Sequence, residues 1–166
     1  MKLTADRMRH MAEATLTALG STAAEARLVA GHLVEANLRG HDSHGIGMLP
    51  FYVDSVARGT LHPNQPARLL NDQGAVLQFS GERGYGQRVA VEAMRAAIAR
   101  ARQTQVVLMT LSAAHHLGRI GHYGELAARL AAEQGRTEKT GLDAAKTGGI
   151  GDGQGTGIGI TLQRRR

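Results

Sequence analysis

The chain has 166 residues, 42% of them hydrophobic and 20% charged, a composition that suits one globular domain with a core and excludes a wholly disordered chain. Cysteine is absent, which excludes disulfides, thiolate nucleophiles and Cys-ligated zinc, so a site must be built from His, carboxylates, Arg, Tyr or Ser. The formal net charge of +6 does not point to nucleic acid, because half the excess falls within residues 136–166 and five aromatic residues are too few for a base-stacking platform.

The N-terminus, MKLTADRMRHMAE, is charged within its first turns and lacks the apolar stretch of a secretory signal. No apolar run approaches the roughly 18 residues that a bilayer span requires, and a cytoplasmic protein without membrane contacts is expected. Met8, Met11, Ala12, Leu16 and Leu19 recur at helical spacing over Thr4 to Leu19, and Gly20 stands where a left-handed C′ residue ends a helix. A second helix follows from the capping-box pair Thr22 and Glu25, with Leu28, Val29, Leu33, Ala36 and Leu38 as its apolar positions up to Gly40.

The next segment, His41-Asp42-Ser43-His44-Gly45, reads as a loop. Met48 to Arg58 is predicted as a short helix closed by Gly59, and Pro63 and Pro66 mark an extended connection. Arg68 to Leu70 and Ala75 to Ser80 read as a hairpin across a four-residue turn, Asn71-Asp72-Gln73-Gly74. The glycine-rich GERGYG, Gly81 to Gly86, opens a helix from Gln87 to about Arg102. Val106 to Leu111 reads as a strand buried on both faces and ends at Ser112-Ala113-Ala114-His115-His116; a last helix is expected from Tyr123 to Gln134. From Arg136 onward the chain is glycine-rich, with six glycines at alternate positions from Gly149 to Gly159, and is expected to be disordered.

Five of the eight histidines fall in two groups, His41 with His44 and His115 with His116 and His122, both at glycine-flanked loops. Histidine exchanges a proton near neutral pH without large tuning, so the groups are candidate halves of one site. Asp42-Ser43-His44 has the residue types of a hydrolase triad but no Gly-x-Ser-x-Gly elbow. His41, His44, His116 and Asp42 lack the tight spacing of a metal motif, and no metal is expected. Neither glycine-rich segment forms Gly-x-Gly-x-x-Gly between a strand and a helix.

Leu38-Arg39-Gly40-His41-Asp42-Ser43-His44-Gly45-Ile46, followed by Leu49-Pro50-Phe51-Tyr52, resembles the opening of the malate/L-lactate dehydrogenase family, which includes ureidoglycolate and piperideine-2-carboxylate dehydrogenases. Gly59 to Pro63, Gly81 to Gln87, Ala114-His115-His116-Leu117-Gly118 and Tyr123-Gly124 agree in order, so the resemblance covers about residues 3 to 135. It implies a non-Rossmann α+β fold: helices over 1–65, the start of a mostly antiparallel cofactor-binding part over 66–135, and the family's C-terminal part missing.

The resemblance further implies a homodimer that transfers hydride between NAD or NADP and a small 2-hydroxy acid. His116 matches the family's proton-transferring histidine, His44 and Ser43 a second active-site pair with His44 also beside the cofactor, and Tyr52 a substrate-side residue. Met48 stands where several members carry the arginine that grips the substrate carboxylate, and Arg119 is the expected substitute. The alternative expectation is a catalytically inactive fragment that acts only as a folded or partner-binding remnant.

Overall fold

The computed structural model describes residues 3–132, 141–145 and 159–163, with side chains described through residue 130. Helices α1 (Ala5–Ala18) and α2 (Ala23–Leu38) open the chain, each started by a threonine whose hydroxyl accepts from the third residue beyond it, Thr4 from Arg7 and Thr22 from Glu25. The Thr22–Glu25 pair is only half of the expected capping box. The Glu25 carboxylate turns inward, where it accepts from the Asn64 amide at 2.8 and 3.0 Å and from Arg88 at 3.1 Å. The Thr22 amide is satisfied instead by Asn64 Oδ1 at 2.8 Å, so a residue 42 positions away completes the cap.

Two short 3₁₀ turns, Asp42–His44 and Ile46–Met48, lead into α3 (Leu49–Ala57), which has Pro50 in its first turn, where a missing amide proton costs nothing. Ala12, Leu16, Ala26, Val29, Ala30 and Leu33 from the first two helices enclose Tyr52 of α3 together with Leu61 and Tyr85. Met48 packs on the rim of this helical core.

Strands β1 (Arg68–Gln73) and β2 (Val76–Ser80) form the expected antiparallel hairpin, but the turn is two residues, Gly74 and Ala75, rather than four. Gly74 has φ +64°, and a bulge between Leu69 and Asn71 shifts the register, so Asn71 to Gln73 pair with Val76 to Gln78 instead of turning. Helix α4 (Gly86–Thr104) then crosses over to β3 (Leu108–Ser112), which lies parallel to β2. A parallel pair needs such a crossover.

Val89, Ala93, Met94, Ala97 and Ile98 of α4 cover Leu77, Phe79, Met109 and Leu111 of the sheet, and α5 (Gly121–Ala132) adds Tyr123, Leu126 and Ala127 to this second core. β3 is not apolar on two buried faces, as its composition predicts. Met109 and Leu111 point inward, while Leu108 and the preceding Val106 are 44% and 41% exposed.

Strands β4 (Gly141–Ala145) and β5 (Gly159–Gln163) lie within the segment expected to be structureless; β5 pairs antiparallel with β3 and with β4, giving the sheet order β1-β2-β3-β5-β4. The bare edge of β3 offers backbone donors and acceptors to any extended segment, which is a physical reason for strands where side chains supply little drive. The rest of 136–166 lies outside the described residues. Only one strand pair of the described sheet is parallel, which separates it from a doubly wound Rossmann sheet.

Candidate active site

The loops that follow the two parallel strands are laced together. Gly81 and Arg83 donate from their amides to the carbonyls of Ser112 and Ala113, at 2.8 and 2.7 Å, and the His115 amide donates back to Gly84 at 3.1 Å. Glu82, Arg83 and Ala113 all sit in the left-handed region, with φ between +49° and +59°, a conformation that costs a side-chain-bearing residue about 1–3 kcal/mol and persists only where its surroundings hold it. The lacing brings the start of α4 against the backbone of His115 and His116. It comes so close that Gly86 has no room for a Cβ: a methyl group there would overlap the carbonyl oxygens of both histidines.

His116 is thereby aimed at the seam between the two cores. Its Nδ1 shares a hydrogen bond with the Tyr52 hydroxyl at 2.8 Å, and Gln87 Nε2 donates to the same hydroxyl at 2.6 Å. Tyr52 and Gln87 are fully buried, one from the helical core and one from the first turn of α4, so the imidazole is held by two rigid elements. His116 Nε2 makes no hydrogen bond among the described residues. The His44 ring lies 5.4 Å from that of His116, tilted by 33°, and Ser43 Oγ and His44 Nδ1 share a hydrogen bond at 2.9 Å.

The short loop that carries Ser43 and His44 is held by Asn37 near the end of α2: its Oδ1 accepts from the Ile46 amide at 2.8 Å and its Nδ2 donates to Asp42 at 2.5 Å. Gly45 packs directly on that carboxamide.

Burial, reinforced by the neighbouring His44 and His115 rings, pulls the His116 pKa down to about 4. The sequence suggested a value near neutrality; the correction arises from desolvation, which penalises the imidazolium. At pH 7 His116 is neutral and has a lone pair to offer. Burial likewise raises the Tyr52 phenol well above its ordinary value, so the hydroxyl keeps its proton.

The two histidine groups thus meet only in part. His44, His116, Ser43 and Tyr52 come together. His115 turns to the other side of the loop, with Nε2 at 3.1 Å from Ser55 Oγ and its ring stacked on Phe51, beside a cleft of about 610 Å³ that Arg58, Thr60 and Arg83 also line. His41 is exposed. His122 lies elsewhere, its ring centroid 3.8 Å from that of His32 with the planes tilted by 41°, and bonded to Glu35 at 3.0 Å. Burial, with His122 beside it, pulls the His32 pKa down to about 3.

Arg119 belongs to this second cluster. Its guanidinium donates to Glu125 at 2.9 Å and reaches Glu35 at 3.4 Å, with Arg39 bridging the same two carboxylates. Burial opposes ionisation of Glu35, but His122, Arg119 and Arg39 outweigh it and hold the carboxyl below its usual range. Two carboxylates already occupy Arg119, so the structure does not bring it to His116 as a substrate anchor. No group of three or more metal-ligating side chains converges among the described residues.

Gln87 and Asn37 escaped the reading of the sequence. Gln87 left a faint signal, as the one uncharged polar side chain among the apolar positions of the α4 helix just after GERGYG, whereas nothing local marks Asn37.

A half-buried imidazole, neutral at pH 7, with one nitrogen tethered and the other open and a second imidazole beside it, is a group that can exchange a proton, and it stands on a non-Rossmann α+β scaffold. The chain belongs to the malate/L-lactate dehydrogenase family, whose model matches residues 3–133. It is 45% identical over 113 residues to hydroxycarboxylate dehydrogenase B of Escherichia coli K12, covering 68% of this chain and 31% of that protein. It is 41% identical over 128 residues to the L-lactate dehydrogenase of Cupriavidus necator, covering 77% and 37% respectively. Among solved structures, a putative malate/lactate dehydrogenase from E. coli superposes with a TM-score of 0.75 at 41% identity, covering 78% of this chain and 36% of that one. The sulfolactate dehydrogenase of Methanocaldococcus jannaschii superposes with a TM-score of 0.76 at 28% identity, covering 96% and 47%. The chain spans about a third of the length of the curated relatives it matches. No described helix is long and apolar enough to cross a membrane.

Proposed function

We propose that this chain supplies the proton-transfer machinery of an NAD(P)-dependent dehydrogenase of small 2-hydroxy acids, with His116 as the base. The observation that carries the reading is the hydrogen-bonded chain from buried Gln87 through buried Tyr52 to half-buried His116, which tethers Nδ1 and leaves Nε2 open. Oxidising a carbinol requires loss of the hydroxyl proton as hydride departs, and a neutral imidazole at hydrogen-bond distance accepts that proton and returns it in the reverse direction. A carboxylate on the substrate assists, because a negative charge nearby stabilises the imidazolium and raises a pKa that burial has lowered.

His44 and Ser43 fit the hydride-accepting end of the cofactor: the His44 ring lies 5.4 Å from that of His116, and its Nδ1 shares a hydrogen bond with Ser43 Oγ. The bound nicotinamide would accept the hydride there. The described residues do not fit its phosphates, since the Gly81–Gly86 loop spends its Gly81 and Arg83 amides on Ser112 and Ala113. Assembly as a homodimer accompanies this reading, as the family resemblance implies.

The test joins residues 1–135 to the C-terminal part of hydroxycarboxylate dehydrogenase B and follows nicotinamide reduction with malate, lactate and sulfolactate. His116→Ala in that chimera should lower kcat by about 10² or more. A near-normal kcat would reject His116 as the base. Absence of nicotinamide reduction in the parent chimera and in the 166-residue chain alike would favour the inactive remnant.

A further inference from the structure

Gln87 is fully buried, and its side-chain Oε1 is one of the few buried polar atoms of the described residues without a hydrogen-bond partner. Its Nε2 donates to Tyr52, and the one proton of the Tyr52 hydroxyl then goes to His116 Nδ1, the other hydrogen-bond partner of that hydroxyl among the described residues. Neutral His116 must then carry its own proton on Nε2. That tautomer cannot accept a proton from a substrate hydroxyl, because the open nitrogen is already protonated.

A half-turn of the Gln87 carboxamide reverses every bond in the chain. Oε1 takes the position 2.6 Å from Tyr52 and accepts from it; Tyr52 then accepts from His116 Nδ1–H, and Nε2 is left bare. The imidazolium formed after proton uptake needs the same arrangement, since its Nδ1–H also has to donate to Tyr52. Neither orientation satisfies the whole buried amide, since one strands the carbonyl and the other gives up the donor bond to Tyr52.

We propose that Gln87 is the positioning residue that sets the tautomer of His116 through Tyr52, with its carboxamide turning between a resting and a proton-accepting arrangement. The inference rests on the reading of His116 as the base, but it concerns a proton position that can be observed without turnover.

The experiment uses the 166-residue chain labelled with ¹⁵N-histidine, with imidazole tautomers read from two-bond proton–nitrogen correlations at neutral pH and His116 assigned by its loss in His116→Ala. Gln87→Met removes the carboxamide at similar volume, leaves Tyr52 only His116 to donate to, and should lock the ring as Nε2–H. Gln87→Glu, read above the burial-raised titration of the new carboxyl, presents an acceptor-only carboxylate to Tyr52 and should lock the ring as Nδ1–H. Adding Tyr52→Phe to Gln87→Glu should abolish that bias, which keeps the test decisive if the methionine variant fails to fold. One tautomer common to wild type and every folded variant would overturn the proposal. Loss of dehydrogenase activity without these tautomer shifts would point against Gln87, and tautomer shifts in a chain without turnover would point against the proposed function alone.

Discussion

Replacing Gly86 by alanine separates local propensity from tertiary packing, because the two predict opposite signs. Gly86 is the first residue of α4, and Ala there would ordinarily stabilise the helix by roughly 0.5–1 kcal/mol. In this fold the added methyl overlaps the His115 and His116 carbonyl oxygens and lies 2.6 Å from the His116 carbonyl carbon. Carbon atoms in contact prefer about 3.5–4.0 Å, so the backbone at 115–116 must retreat by about 1 Å. That retreat strains the 3.1 Å bond from the His115 amide to Gly84 and the 2.8 Å bond between His116 and Tyr52.

Overpacking costs about 1–3 kcal/mol and a lost hydrogen bond about 1 kcal/mol, against the propensity gain, so a net destabilisation of roughly 1–3 kcal/mol is expected. Urea denaturation of Gly86→Ala beside wild type measures it. A variant as stable as wild type, or more stable, would refute the close approach on which the placement of His116 depends.

Acid should weaken the fold through His116 and, in the same sense, through His32. Both have folded pKa values below the unfolded value of 6.5, at about 4 and about 3, so the unfolded chain binds more protons in between and stability rises with pH across that window. For His116 the fall from 6.5 to about 4 corresponds to roughly 3 kcal/mol, absent above pH 6.5 and complete below pH 4; urea titrations of wild type and His116→Gln over this range should differ in slope, and parallel curves would contradict it. Asn37→Ala removes the acceptor for the Ile46 amide and the donor to Asp42, and should cost about 1–2 kcal/mol while raising hydrogen exchange at Ile46; unchanged protection there would show that the Ser43–His44 loop is held by other contacts.

The local elements were legible because each is written in contiguous residues. Thr4 and Thr22 start α1 and α2 as their hydroxyls dictate, and the apolar spacing of Val89, Ala93, Met94 and Ala97 presents one face of α4 to the sheet. The errors fall where a partner distant in sequence intervenes. Glu25 left its capping box because Asn64 and Arg88 reach it, and Asn71 to Gln73 extended into β1 because β2 offers them backbone partners. Arg119 was available as an anchor only while Glu35 and Glu125 were out of view.

The same division holds for the candidate site. The sequence by itself determined which residue types could exchange a proton, that they stand at loops beyond ordered elements, and which family they resemble, since all of these depend on residue identity and short-range order. Only the tertiary structure decided that His116 meets Tyr52, 64 positions away, and that Tyr52 meets Gln87 rather than solvent. It also decided that His122 and Arg119 belong to another cluster. Burial, and therefore pKa, tautomer and hydrogen-bond partner, depends on atoms brought together by the packing of two cores, and no local pattern of residues encodes that sum.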